Sequence, residues 1–144
     1  KAGSTGKESV FIEHDNKEIM FHVSTLLPFS EADVQKIERK RHLGNDIVVI
    51  IFMDGDTMFP PSICKSVFNH IYIVIQKDAN TDYYRVGVTI KDGVRDFGPS
   101  FPFPPLVHKD LLRNFLLAKM INGEWAAYRS LEFAHKYKRT RKLQ

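Results

Sequence analysis

At 144 residues the chain is long enough for one domain that buries about 70% of the surface its unfolded form exposes. With 43% hydrophobic and 26% charged residues, its composition is that of an ordinary soluble globular protein; repeats, low-complexity tracts and apolar runs of membrane length are all missing from the sequence. A net charge of +4 biases it weakly toward an acidic or phosphorylated partner, and the one cysteine, Cys64, excludes an internal disulfide and points to a reducing compartment.

In chain order, residues 1–6 are small and polar, as expected of a loop. Residues 18–24 alternate, with Ile19, Phe21 and Val23 on one face and Met20, His22 and Ser24 on the other, which predicts a strand. After Pro28, Ser30 is placed to cap a helix and Asp33 to sit near its positive end. That helix has a narrow apolar stripe, chiefly Val34 and Ile37, with Lys36, Arg39 and Lys40 off it, so it is expected on the surface. Gly44 is the expected stop. Residues 47–52 and 71–75 are continuous runs of β-branched and apolar side chains, as in strands covered on both faces. Pro60-Pro61-Ser62 opens a short helix to Val67.

Tyr84, Val86, Val88 and Ile90 alternate with Arg85, Gly87 and Thr89, a strand with one wetter face. A loop rich in glycine and proline at 98–105 leads into a long helix whose apolar ridge includes Leu112, Phe115, Leu116, Met120 and Trp125. A basic amphipathic segment with Phe133 and Tyr137 closes the chain at Lys138-Arg139-Thr140-Arg141-Lys142. The pattern predicts an α/β fold: a single domain with a mixed sheet flanked by helices.

Several chemistries are excluded. The six histidines are scattered without the spacing of a zinc site. There is no Gly-x-Ser-x-Gly elbow and no phosphate-binding Gly-x-x-x-x-Gly-Lys-Ser/Thr loop, so the chain does not bind a nucleotide through a P-loop of its own. Cys64, in an amphipathic stretch, reads as a buried structural thiol.

The informative stretch is Arg39-Lys40-Arg41-His42-Leu43-Gly44-Asn45-Asp46-Ile47-Val48, where a carboxamide and a carboxylate follow directly on cations and precede a core strand. Two readings stand for it. Cations in a last helical turn complement the helix dipole, by a few tenths to about 1 kcal/mol, and Asn45-Asp46 forms a turn. Alternatively, Asn45 is mounted on a rigid junction and directed at phosphate chemistry. Composition does not choose between them.

The order Glu18-Ile19-Met20-Phe21-His22-Val23-Ser24-Thr25, followed by Lys40-Arg41-His42-Leu43-Gly44-Asn45-Asp46, resembles the GTPase-activating domain of the Rap-directed family, to which the tuberin and Ral-regulator domains are related. The likeness continues through Phe97-Gly98-Pro99 and through Phe115 to Asn122, and so covers nearly the whole chain. These downstream segments resemble the Rap branch more than the others, although Leu43 stands where that branch commonly has isoleucine.

The resemblance implies a mechanism. Ras-like GTPases orient their attacking water with a glutamine. Rap proteins lack it, and the family is understood to insert an asparagine thumb in its place. That residue would be Asn45, carried at the C-terminal end of the surface helix. Its carboxamide both accepts and donates hydrogen bonds without changing protonation state.

By the same resemblance His42 contacts the GTPase or buttresses the thumb, Lys40 and Arg41 meet the partner's surface, Asp46 holds the thumb, and Arg139 touches the GTPase. A purely structural role stands beside each of these. No arginine finger is implied. The partner would be a Rap-type GTPase in its GTP-bound state, which itself holds GTP and Mg2+, leaving this chain without a cofactor.

Residues 1–144 are thus expected to be the catalytic part of a Rap-GAP domain, without the N-terminal region of the full module. The opening on Lys1, with no signal-peptide pattern, suits a piece of a cytoplasmic protein. Any membrane recruitment would come from regions outside it, with no direct membrane insertion, and a homodimer is open to the full-length protein. Three alternatives remain: an activator of Rheb or Ral, a catalytically silent GTPase-binding scaffold, and a nucleic-acid binder using the cluster at 136–142. The last lacks any recognised motif, so no nucleic-acid partner is expected.

Overall fold

The computed structural model describes residues 6–32, 37–56, 66–130 and 135. Most of the expected helix at 60–67, with Cys64, and the basic cluster at 138–142 lie outside them. By packing, the chain forms two compact units, Lys1–Asp46 and Ile47–Gln144, where the sequence led to one layered structure.

In the first unit, β1 (Val10–His14) and β2 (Lys17–Phe21) form an antiparallel hairpin. Its two-residue turn is Asp15-Asn16, with φ of 49° and 57°. Positive φ at both central positions is the type I′ geometry that matches strand twist, and Asp and Asn tolerate it. Sequence reading missed β1, and it extended β2 too far. The strand ends at Phe21, and beyond it the N–H groups of Leu26 and Leu27 donate to the Val23 carbonyl, folding 23–27 into a turn. Alternation persists to Ser24, but the backbone bonds have already left the ladder.

Helix α1 (Ile37–Asn45) completes this unit. Glu31 and Ala32 form a turn, and the start expected between Ser30 and Asp33 runs into undescribed residues. Gly44 is not the stop; it lies within α1, whose last residue is Asn45.

The second unit is a four-stranded mixed sheet in the order β3 (Val48–Met53), β4 (Ile71–Lys77), β5 (Tyr83–Ile90), β6 (Leu106–His108), with α2 (Lys109–Tyr128) after it. The first pair is parallel and the others antiparallel. Cross-strand partners share a face, so Ile71, Ile73 and Ile75 stand beside Ile90, Val88 and Val86, and Tyr84 beside Val107. The three isoleucines are fully buried; α2 packs against β4, and its own buried apolar residues include Leu116, Leu117, Met120 and Ala127.

The opposite face is only half-buried at Tyr72, Val74 and Gln76, so the expectation that both faces of this strand are covered does not hold. In β3, Phe52 is 70% exposed. Trp125 is 54% exposed and leaves the expected ridge of α2. Five residues beyond Met120 carry it about 140° around the helix, whereas Ala127 returns to the buried stripe.

Candidate functional site

The predicted site residues converge at the C-terminal end of α1, inside the first unit. Asn45 is the last helical residue and is exposed. Arg41, one helical turn earlier, is exposed on the same face. Lys40 is also exposed, while His42, Leu43 and Gly44 are half-buried. The helix thus offers a carboxamide at its tip with a guanidinium behind it. Arg139 lies outside the described residues.

Asp46 follows immediately and is held from elsewhere in the chain. His22, directly after β2, places Nδ1 2.9 Å from both carboxylate oxygens of Asp46. An ionised carboxylate only accepts, so Nδ1 carries the proton and donates. The His22 and Asp46 side chains are 23% and 31% exposed. The His22 ring also lies 5.5 Å from that of His42, tilted by 45°. The Asp46 N–H donates to the Leu43 carbonyl at 3.4 Å, a long bond closing the last turn.

A carboxylate beside the negative end of a helix is misplaced by a few tenths to about 1 kcal/mol unless something compensates it. His22 supplies a donor at that place, and His42 is the basic residue of the last turn.

His22 is the residue at this end of α1 that sequence reasoning did not single out. It shares a face with Met20 and Ser24 in an alternating segment, and it sits in the Phe-His-Val-Ser-Thr stretch that carries the resemblance. Nothing in the sequence pairs it with Asp46, 24 residues away.

Elsewhere, in the second unit, a cavity of about 820 Å³ opens between the loop at 93–98 and the end of α2, lined by Arg95, Asp96, Asn122, Trp125 and Arg129 among others. It contains none of the predicted site residues. Among the described residues no cluster of His, Cys, Asp or Glu is arranged to hold a metal ion, and no helix is long and apolar enough to cross a membrane.

Comparison with known proteins gives this geometry a setting. The sequence profile of the Rap/ran-GAP family matches residues 1–142. A PH and Rap-GAP domain-containing protein of Dictyostelium discoideum is 46% identical over 143 residues, covering 98% of this chain and 12% of that protein. RapA guanosine triphosphatase-activating protein 1 of the same organism is 35% identical over 198 residues, covering 99% of this chain and 19% of its own length. The chain therefore spans less than a fifth of either relative. Among solved structures, the TSC2 GAP domain superposes with a TM-score of 0.73 at 28% identity, over 86% of this chain and 66% of the other.

Proposed function

The chain belongs to the Rap/ran-GAP family, and from that premise we propose that it stimulates GTP hydrolysis by a Rap-type small GTPase in the GTP-bound state, inserting Asn45 in trans to orient the attacking water. It is an activator: GTP and Mg2+ are held by the GTPase, and this chain brings one side chain to a reaction centre it does not contain. In this reading it acts in the cytoplasm.

The observation that carries the reading is the placement of Asn45. It is exposed at the tip of α1, and the next residue is tethered by His22. An exposed carboxamide on a held backbone suits insertion into a partner's cleft, where it replaces a missing water-positioning group. Accelerations of 10³- to 10⁵-fold by an inserted residue correspond to roughly 4–7 kcal/mol of transition-state stabilisation. In this reading Lys40 and Arg41 dock against the GTPase, and the carboxylate of Asp46 faces inward to His22. Arg139 is assigned to the same docking surface through the family resemblance alone.

Single-turnover GTP hydrolysis tests the proposal. The unmutated protein should accelerate it on Rap, and Asn45→Ala should abolish the acceleration while binding to the GTPase persists. Full acceleration by Asn45→Ala would remove Asn45 from the mechanism. A parallel panel of Rap, Rheb, Ral and Ras identifies the substrate. Binding without acceleration of any of them would leave a scaffold.

A further inference from the structure

We propose that His22 is a positioning residue for Asn45, acting through Asp46; the proposal rests on the GTPase-activating reading above. Asn45 is exposed, so its place is set by the backbone on either side of it. On one side is α1. On the other is Asp46, and two of the bonds that hold that residue differ in strength. Its N–H reaches the Leu43 carbonyl at 3.4 Å, near the limit of a useful hydrogen bond, whereas its carboxylate receives His22 Nδ1 at 2.9 Å on both oxygens. A bond to an ionised acceptor is also the stronger kind, and both side chains are largely withdrawn from solvent. His22, the residue that follows β2, is therefore a firm tether of the thumb.

The second contact of His22 points the same way. Its ring rests against His42, three residues before Asn45, so one imidazole touches both flanks of the helix tip. A reactive side chain held by supporting contacts of this kind keeps its geometry, and a displacement of about 1 Å costs on the order of 10²-fold in rate. His22 need not touch the GTPase. Its loss should fall on the rate within the complex rather than on the affinity.

Four variants test this: His22→Ala, His22→Asn, Asp46→Ala and the double variant His22→Ala/Asp46→Ala. Asparagine keeps an amide donor on Cγ, the atom to which Nδ1 is attached. His22→Ala should lower the saturated single-turnover rate by about ten- to a hundredfold. Its Kd for Rap loaded with a non-hydrolysable GTP analogue should stay within about threefold, the signature of an interaction made in the transition state. His22→Asn should keep at least about a third of the rate, and the double variant should be no slower than Asp46→Ala alone.

A second readout needs no activity. The ¹⁵N order parameter of the Asn45 backbone amide should be about 0.85 in the unmutated protein, fall below about 0.6 in His22→Ala, and stay high in His22→Asn. An unmoved order parameter in His22→Ala, a His22→Asn as impaired as His22→Ala, or a loss confined to Kd overturns the proposal. Should His22→Ala fail to fold, His22→Asn against His22→Gln makes the same contrast, because glutamine sets its amide one carbon further out. If the unmutated protein accelerates no GTPase, the activating reading falls, and the order parameters still decide whether His22 holds Asn45.

Discussion

Replacing Lys119 by methionine should destabilise the second unit more than any single surface change. Lys119 is 4% exposed in the middle of α2. Its ammonium donates to the carbonyls of Phe97 and Pro99 at 2.7 and 2.9 Å, and lies 4.5 Å from the ring centroids of both Phe97 and Phe101. Asn122, one turn on, donates to the carbonyl between them, Gly98, at 3.0 Å. Methionine fills a similar volume but removes both donors. Two hydrogen bonds from a charged group contribute about 1.5–3 kcal/mol each, and contacts with two ring faces add about 0.5–1 kcal/mol apiece at partly solvated sites.

Three effects reduce the sum, the first being that methionine removes the cost of burying the ammonium charge. The loop carbonyls sit on partly exposed residues and regain water, and methionine sulfur makes its own contacts with the rings, about 0.3–1.5 kcal/mol. A net loss of about 2–4 kcal/mol follows, or roughly 6–12 °C in Tm for a protein of this size. Asn122→Ala is the control, with one partly exposed bond and a loss of about 0.5–1.5 kcal/mol. Thermal unfolding followed by circular dichroism measures both. A Lys119→Met protein melting within about 2 °C of the unmutated one would refute the reasoning.

Titration adds a second arm. Burial pushes Lys119 below the ordinary lysine value of 10.5, with Asp96 opposing part of the shift. Below the folded-state value both states hold the proton, and the cost of burying the charge is fully present. Between that value and about 10.5 the unfolded chain holds a proton that the folded one has released, so stability gains with rising pH. The stability difference between the unmutated protein and Lys119→Met should therefore widen in favour of the lysine as pH climbs through this window. A difference that narrows would contradict the sign.

Gly123→Ala sets helix propensity, a gain of about 1 kcal/mol, against overpacking of about 1–3 kcal/mol. The added Cβ would lie 2.8 Å from Ile71 Cδ1 and 3.0 Å from Phe97 Cε2. Ile71 is fully buried and Phe97 sits under the Lys119 ammonium, so neither yields easily, and the denaturant midpoint should fall with an unchanged slope; a raised midpoint would show the neighbours relaxing. On the docking face, Arg41→Glu should slow association with the GTPase by about tenfold at low salt and Lys40→Glu by less, because only Arg41 shares the face of Asn45. Stopped-flow association should show both effects shrinking as salt is raised, and a salt-independent loss would argue for a different role.

The sequence carried the elements whose burial alternates and whose side chains are of one kind. The strand with Tyr84, Val86, Val88 and Ile90 on its inner face is of this type, as is most of α2. It did not carry β6, whose three residues follow a run of prolines and are too few to show a period. The hairpin at Asp15-Asn16 was readable from its turn chemistry but carried no glycine to mark it. Lys119 was illegible in principle: a lysine in an amphipathic helix is ordinarily on the wet face, and only the loop folding back over α2 gives its ammonium acceptors.

That contrast separates the two halves of the family likeness. The upstream half meets at the tip of α1, where His22 and Asp46 come from two stretches recognised separately. The downstream half, Phe97-Gly98-Pro99 with Lys119 and Asn122, is explained by hydrogen bonds within the second unit. Three successive carbonyls accept from two side chains one turn apart, so a change in either segment removes hydrogen bonds made by the other. The downstream motif therefore speaks for the scaffold, and a substitution there should lower stability first. Chemistry has to be argued from the upstream motif, whose exposed residue, Asn45, contributes nothing to the core and stands where a partner can reach it.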